Sequence, residues 1–243
     1  MSESHRHKRL CELLYQLLRA SVDDRSCVGS DQFVYYDASS SRKKCAPDGF
    51  VKLDVPAESI YVWKVWEKGA PELCVEILSP SDTEEKLTLP QKLDRFHTIG
   101  VSEVVTLDVD AKVGQRIRAW DRIEGDLVER VVEGERTPCR TLGLWFVVAP
   151  YEAEGRSPVD RLPAALRLSR DAQGTDLVLS PDEVDRLEVK KHKALAEQAK
   201  TLAEQAKALA EQEKARAEQE ALRASFAEAE VLRLQAEIAR SRT

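Results

Sequence analysis

The chain has 243 residues, of which 42% are hydrophobic and 33% charged, and a net charge of −6. The length suits one medium domain with an appendage. The negative balance excludes a global basic field for nucleic acid, so any such contact needs a local patch or bound cations. Five scattered cysteines (Cys11, Cys27, Cys45, Cys74 and Cys139) show no CxxC spacing, so neither a disulfide framework nor a zinc site is legible. The first residues lack an apolar signal segment, and no apolar run approaches membrane-spanning length. A soluble cytoplasmic protein is the expectation.

In chain order, the first helix is expected from about His7 to Ala20, with Leu10, Leu14 and Leu18 on one face and Leu13 and Leu17 beside them. Residues 32–36 read as a strand, 37–44 as a polar loop and 47–53 as a second strand. Residues 56–66 read as irregular, with Ile60, Val62 and Trp63 as packing residues. The nearly continuous apolar run 72–78 suits a strand covered on both faces. Ser79-Pro80-Ser81-Asp82 stops it, and Ser81 or Asp82 can cap a helix. Pro90 demands a kink or a fresh helix start, and Gly100 closes that helix. Strands follow at 102–108, 115–122, 127–132 and 144–148. Residues 152–180 read as a linker. Ser180-Pro181-Asp182-Glu183 is a helix start with Ser as cap, Pro first and Glu third. From there one helix runs on over 181–243. Its tail repeats with period seven, placing Leu195, Leu202 and Leu209 on one seam and Ala199 and Ala206 on the other. That pattern predicts a weak coiled coil, used for self-association or tethering.

Two acidic residues stand out because each sits in an apolar, strand-like stretch: Asp48 in Ala46-Pro47-Asp48-Gly49-Phe50-Val51, and Glu76 in Leu73-Cys74-Val75-Glu76-Ile77-Leu78. A buried ionised carboxylate costs several kcal/mol unless compensated. For two converging carboxylates a divalent cation is the simplest compensation, and Mg²⁺ takes carboxylate oxygens and water. Metal-assisted hydrolysis, with phosphodiester cleavage as its chemistry, is therefore the first reading.

The order of elements carries a resemblance. His7 and Leu10 lie on the first helix, Pro47-Asp48 opens a strand, and Glu76-Ile77-Leu78-Ser79-Pro80-Ser81 ends another. Lys92 stands four residues before Phe96, and Gly100-Val101 leads into Ser102-Glu103-Val104-Val105. Over roughly Ser4 to Tyr151 this resembles the Uma-type family of putative restriction endonucleases, within the PD-(D/E)xK nuclease superfamily. The resemblance implies an α/β fold, a restriction-endonuclease-like mixed sheet flanked by helices, over residues 1–151, with the long C-terminal helix beyond. It implies Asp48 and Glu76 as metal ligands and as catalytic residues with a lysine, Mg²⁺ or Mn²⁺ as cofactor, and DNA as substrate. The superfamily's lysine commonly lies two residues after the glutamate; here that position is Leu78. Lys92, on a helix that can reach back to the strand end, is the favoured replacement, and Lys86 is its rival.

Each residue also has a plainer role. Asp48 could be a turn residue after Pro47, Glu76 the partner of a buried Arg or Lys, and Lys92 a solvated helix residue. His7 could meet phosphate or metal, but a surface or capping His is the commoner case. His97 is expected to be exposed. Asp108 is expected in a turn rather than at the site, and the Arg6, Lys8, Arg9 cluster as a solvated terminus. Three functions follow: a Mg²⁺-dependent DNA endonuclease, dimeric through its tail; a nuclease fold that has lost catalysis and binds a partner; and a coiled-coil adaptor.

Overall fold

The structure, a computed structural model, describes residues 5–56, 61–78, 87–152 and 161–241. The expected cap at Ser81 or Asp82, Ile60, and the rival Lys86 lie outside the described residues. The chain divides into two compact units, Met1–Val184 and Asp185–Thr243.

In the first unit α1 (His5–Ala20) buries His7, Leu10, Cys11, Leu13, Leu14, Leu17 and Leu18 on one face. Each fully buried leucine contributes about 1.5–3 kcal/mol. The chain continues through β1 (Cys27–Gly29), β2 (Phe33–Tyr35), β3 (Lys44–Cys45), β4 (Gly49–Lys52), β5 (Val62–Lys64), the short α2 (Val65–Lys68) and β6 (Leu73–Leu78). Then come α3 (Leu89–Ile99), β7 (Glu103–Asp108), β8 (Ile117–Ile123), β9 (Asp126–Arg130), β10 (Arg136–Cys139), β11 (Leu144–Tyr151), β12 (Leu162–Ser169) and α4 (Pro181–Ser241).

The described residues form three sheets. The main one has the order β1-β4-β6-β7-β8-β9, and the others are β10-β11-β12 and β3-β2-β5. Within the main sheet β6 and β7 are parallel, joined by a crossover containing α3. The other pairs in it are antiparallel. This is a mixed α/β architecture with a long C-terminal helix, as expected.

Both faces of the main sheet are covered. Val51, Leu73, Val75, Ile77, Val105 and Leu107 join the α1 leucines and Phe146, Leu166 and Leu168 of the β10–β12 sheet in one core. Phe50, Cys74, Val104 and Trp120 join Trp63 and Phe96 in a second. That double cover explains why β6 is apolar at successive positions. Gly29 is needed for close approach: a Cβ there would lie 2.1 Å from the ring of Phe50, which is fully buried.

Pro90 proves to be a fresh start. Thr88 and Gln91 form a capping box at the head of α3, with Pro in the first turn, where its missing N–H is harmless. Gly100 takes the left-handed conformation, φ 94°, and ends the helix. The segment read as a linker, 152–180, instead contains β12, which pairs with β11 and packs against α1. Its Leu-Pro-Ala-Ala-Leu-Arg-Leu-Ser sequence lacks the β-branched residues that mark a strand, so burial rather than propensity makes it one. The short strands β1, β3 and β5 and the four-residue β10 were equally unannounced. Val62, expected to pack, is partly exposed, whereas Trp63 is fully buried.

The head of α4 follows the sequence. Ser180 N–H donates to Glu183 Oε2 at 2.8 Å, and Glu183 N–H donates to Ser180 Oγ at 3.4 Å. Glu183 also accepts from Arg167 of β12 at 2.8 Å. The second unit is the continuation of α4, in which Leu195, Leu202 and Leu209 are exposed. No described helix is long and apolar enough to cross a membrane.

Candidate active site

Asp48 stands at the mouth of β4. The turn before it is pinned by Asp31 N–H to Pro47 O at 3.2 Å and by Ser30 Oγ to Asp48 O at 2.8 Å. Gly49 pairs with Val75 and Phe50 with Cys74, so Asp48 stands where that antiparallel ladder ends, beside the strand that carries Glu76. Ile77 N–H donates to Asp48 Oδ2 at 2.6 Å. The chain thus folds so that one carboxylate locks onto the strand carrying the other. Both side chains are buried, at 6% and 2% exposure.

Lys92 lies one turn into α3. Its ammonium donates to Glu76 Oε2 at 2.5 Å, so the helix lysine reaches the strand glutamate as its position suggested. The same contact is the buried pairing that the plainer reading of Glu76 requires. Arg95, three residues on, donates to Lys44 O at 3.0 Å and anchors this helix to β3. Thr106 of β7, paired with Glu76 in the parallel register, is buried beside it.

His7 corrects an expectation. It is buried at 4% exposure, not a surface or capping residue, because it shares the apolar face of α1. Its Nε2 lies 3.3 Å from Asp48 Oδ1. Cys11, one turn later, donates its S–H to the same oxygen at 3.6 Å. Cys11 was missed, although its four-residue spacing from His7 puts both on one helix face. The donor atoms of His7, Cys11 and Asp48 all lie within 4.8 Å of one another, a grouping able to hold a metal ion.

Elsewhere the plainer readings hold. His97 is exposed and contacts Asp126. Asp108 accepts from the N–H groups of Asp110 and Ala111, as a turn residue does. Cys74 is an inert core thiol: burial first, and then the charges of nearby groups including Glu76, push it well above its ordinary value. Burial likewise raises Cys139.

A second buried carboxylate shows what structural compensation looks like. Glu103 accepts from Arg130 at 2.6 Å, from the backbone of Arg140 and Thr141, and from Thr141 Oγ1. Arg130 also donates to Asp121 at 2.8 Å. Glu103 therefore meets a guanidinium, two amides and a hydroxyl, a set that ties β7, β8 and β9 to the turn after β10. Among the described residues, Asp48 contacts an imidazole, a thiol and a backbone amide, and Glu76 an ammonium.

No curated protein matches the chain. Among solved structures, that of a putative nuclease belonging to DUF820 from Anabaena variabilis ATCC 29413 is similar at 14% identity and a TM-score of 0.44; the similarity covers 58% of this chain and 76% of that one. Residues 1–149 match the model of the Uma2 family, described as "Putative restriction endonuclease". With more than half of its length so matched, the chain belongs to the Uma2 family.

Proposed function

We propose that the protein is a divalent-metal-dependent endonuclease that hydrolyses DNA phosphodiester bonds, with Asp48, Glu76 and Lys92 at its site. The observation that carries this reading is that buried Asp48 is bonded to Ile77 N–H, the residue next to buried Glu76, with Lys92 Nζ on the glutamate. Mg²⁺ or Mn²⁺ held by the two carboxylates would supply Lewis-acid charge and an activated water. The Lys92 ammonium then stabilises the negative charge that builds on the phosphoryl oxygens as water adds to phosphorus and the ester P–O bond breaks. Ile77 N–H fixes the rotamer of Asp48, and the cap and anchor of α3 fix the approach of Lys92.

The test is nicking of supercoiled plasmid with Mg²⁺ or Mn²⁺ and with a chelator. Wild type should cut, and Asp48→Asn and Glu76→Gln should not. The competing reading, a nuclease fold that has lost catalysis, draws on the same Lys92–Glu76 pair taken as purely structural; wild-type protein inert with either metal would establish it.

We assign residues 1–151 to the nuclease-like part, although β12 shows that the first unit continues past it. Residues 181–243 serve self-association, dimeric in the simplest case, for which the exposed leucines at seven-residue spacing are the support. A cytoplasmic setting accords with the five free cysteines.

A further inference from the structure

His7 and Cys11 project from successive turns of α1 onto one oxygen, Asp48 Oδ1, at 3.3 Å from Nε2 and 3.6 Å from Sγ. These separations have a chemical meaning. A tetrahedral ion with bonds of about 2.0–2.1 Å to nitrogen, about 2.3 Å to sulfur and about 2.0–2.2 Å to oxygen sets N and O about 3.4 Å apart and S and O about 3.6 Å apart. The two contacts match the edges of that tetrahedron. Ile77 N–H holds the other carboxylate oxygen, as outer partners of metal-bound carboxylates do. All three side chains are buried, and two come from one rigid helix, so little reorganisation is needed to close around an ion. The donors are one imidazole, one thiol and one carboxylate. Mg²⁺ does not take such a set, whereas Zn²⁺ and its borderline neighbours do.

We propose that His7, Cys11 and Asp48 form a three-ligand site for a thiolate-accepting divalent ion of the Zn²⁺ type, with the fourth position open. Binding forms one bond each to Nε2, Sγ and Oδ1. The Cys11 proton leaves to solvent, and no electron is transferred. The site shares Asp48 with the nuclease reading and rests on it for a role in cleavage, but its donors select a different class of ion from the Mg²⁺ or Mn²⁺ of that reading.

The experiment is Co²⁺ titration of the full chain under a phosphine reductant, followed by absorption. Wild type should show a near-ultraviolet thiolate-to-cobalt charge-transfer band and strong visible bands of tetrahedral cobalt. Both should saturate at one ion per chain, be displaced by Zn²⁺ and persist in excess Mg²⁺. Cys11→Ser should lose the charge-transfer band and bind at least about tenfold more weakly. Asp48→Asn, which preserves side-chain shape, should weaken binding with the thiol intact. Circular dichroism without metal checks that each variant is folded. A wild type without the charge-transfer band overturns the site whatever the variants do, as does an unchanged band in Cys11→Ser. Plasmid cleavage with Mg²⁺ and no thiolate band would leave the nuclease reading and remove this site. A thiolate band in a protein that cleaves nothing would do the reverse.

Discussion

Glu76 and Lys92 show how much can hang on one contact. The glutamate is almost fully buried and its 2.5 Å partner only slightly exposed, so the charges compensate each other in a poorly solvated place. Removing one partner takes a charge-assisted hydrogen bond from the other in that poorly solvated place. Lys92→Ala should cost about 3 kcal/mol in urea unfolding, and Glu76→Leu/Lys92→Met should recover most of it. An additive double mutant would show that the pair is not coupled. Glu76 was legible because an acid within an apolar strand is conspicuous, whereas Lys92 entered only through the family resemblance. Cys11 was not legible, because a cysteine on a leucine-rich face looks like any small apolar residue. Only the approach of β4 to α1 gives it a carboxylate. Asp171 illustrates pH dependence at this scale. Its carboxylate accepts from the N–H groups of Gln173, Thr175 and Asp176 and from the Thr175 hydroxyl. These bonds lower its pKa from 3.8 to about 2. A depressed carboxylate stabilises the fold above its unfolded value, and that contribution fades as pH falls from 3.8 towards 2. An NMR titration should place the Asp171 midpoint near 2, and Asp171→Asn should flatten stability over that acidic window; a midpoint near 3.8 would contradict the turn's hydrogen bonding.

At the level of elements, side-chain periodicity dictated α1, a continuous apolar run β6, Gly100 the end of α3 and the Ser180 cap the head of α4. These signals are local, so the sequence carries them openly. Strands such as β1 and β12 form for a different reason: a neighbour offers both a hydrogen-bonding edge and a surface to bury. β1 depends on Gly29, which faces Phe50 across the ladder with no room for a methyl group. Gly29→Ala should destabilise by about 1–3 kcal/mol, read as a lower thermal midpoint, and Phe50→Leu in the same chain should restore part of the loss. An unchanged midpoint for the single variant would mean that β1 is not packed as described. At the other end, Ser180→Ala removes the hydroxyl that receives Glu183 N–H. The expected cost is about 1 kcal/mol, visible as faster amide exchange in the first turn of α4.

For the molecule as a whole, β12 alters where the first unit stops. The family match ends at residue 149, inside β11, yet the packing of α1 needs Leu166 and Leu168 from the following strand. A fragment 1–151 should therefore unfold without cooperativity, whereas 1–184 should melt as one transition; equal behaviour of the two would make β12 dispensable. Comparison of the full chain with 1–184 by sedimentation tests the tail: loss of a dimer on truncation is the expected outcome, and identical mass behaviour would remove self-association from its role. The heptad tail was legible because repetition needs no tertiary context, while the closure of the first unit by β12 depended on a partner far away in sequence. That closure also sets a timetable. α1 is made early and β12 roughly 150 residues later, and at about 5–20 residues per second the leucine face of α1 waits on the order of ten to thirty seconds for its cover. During translation this helix is thus a natural client for whatever shields nascent apolar surface at the ribosome.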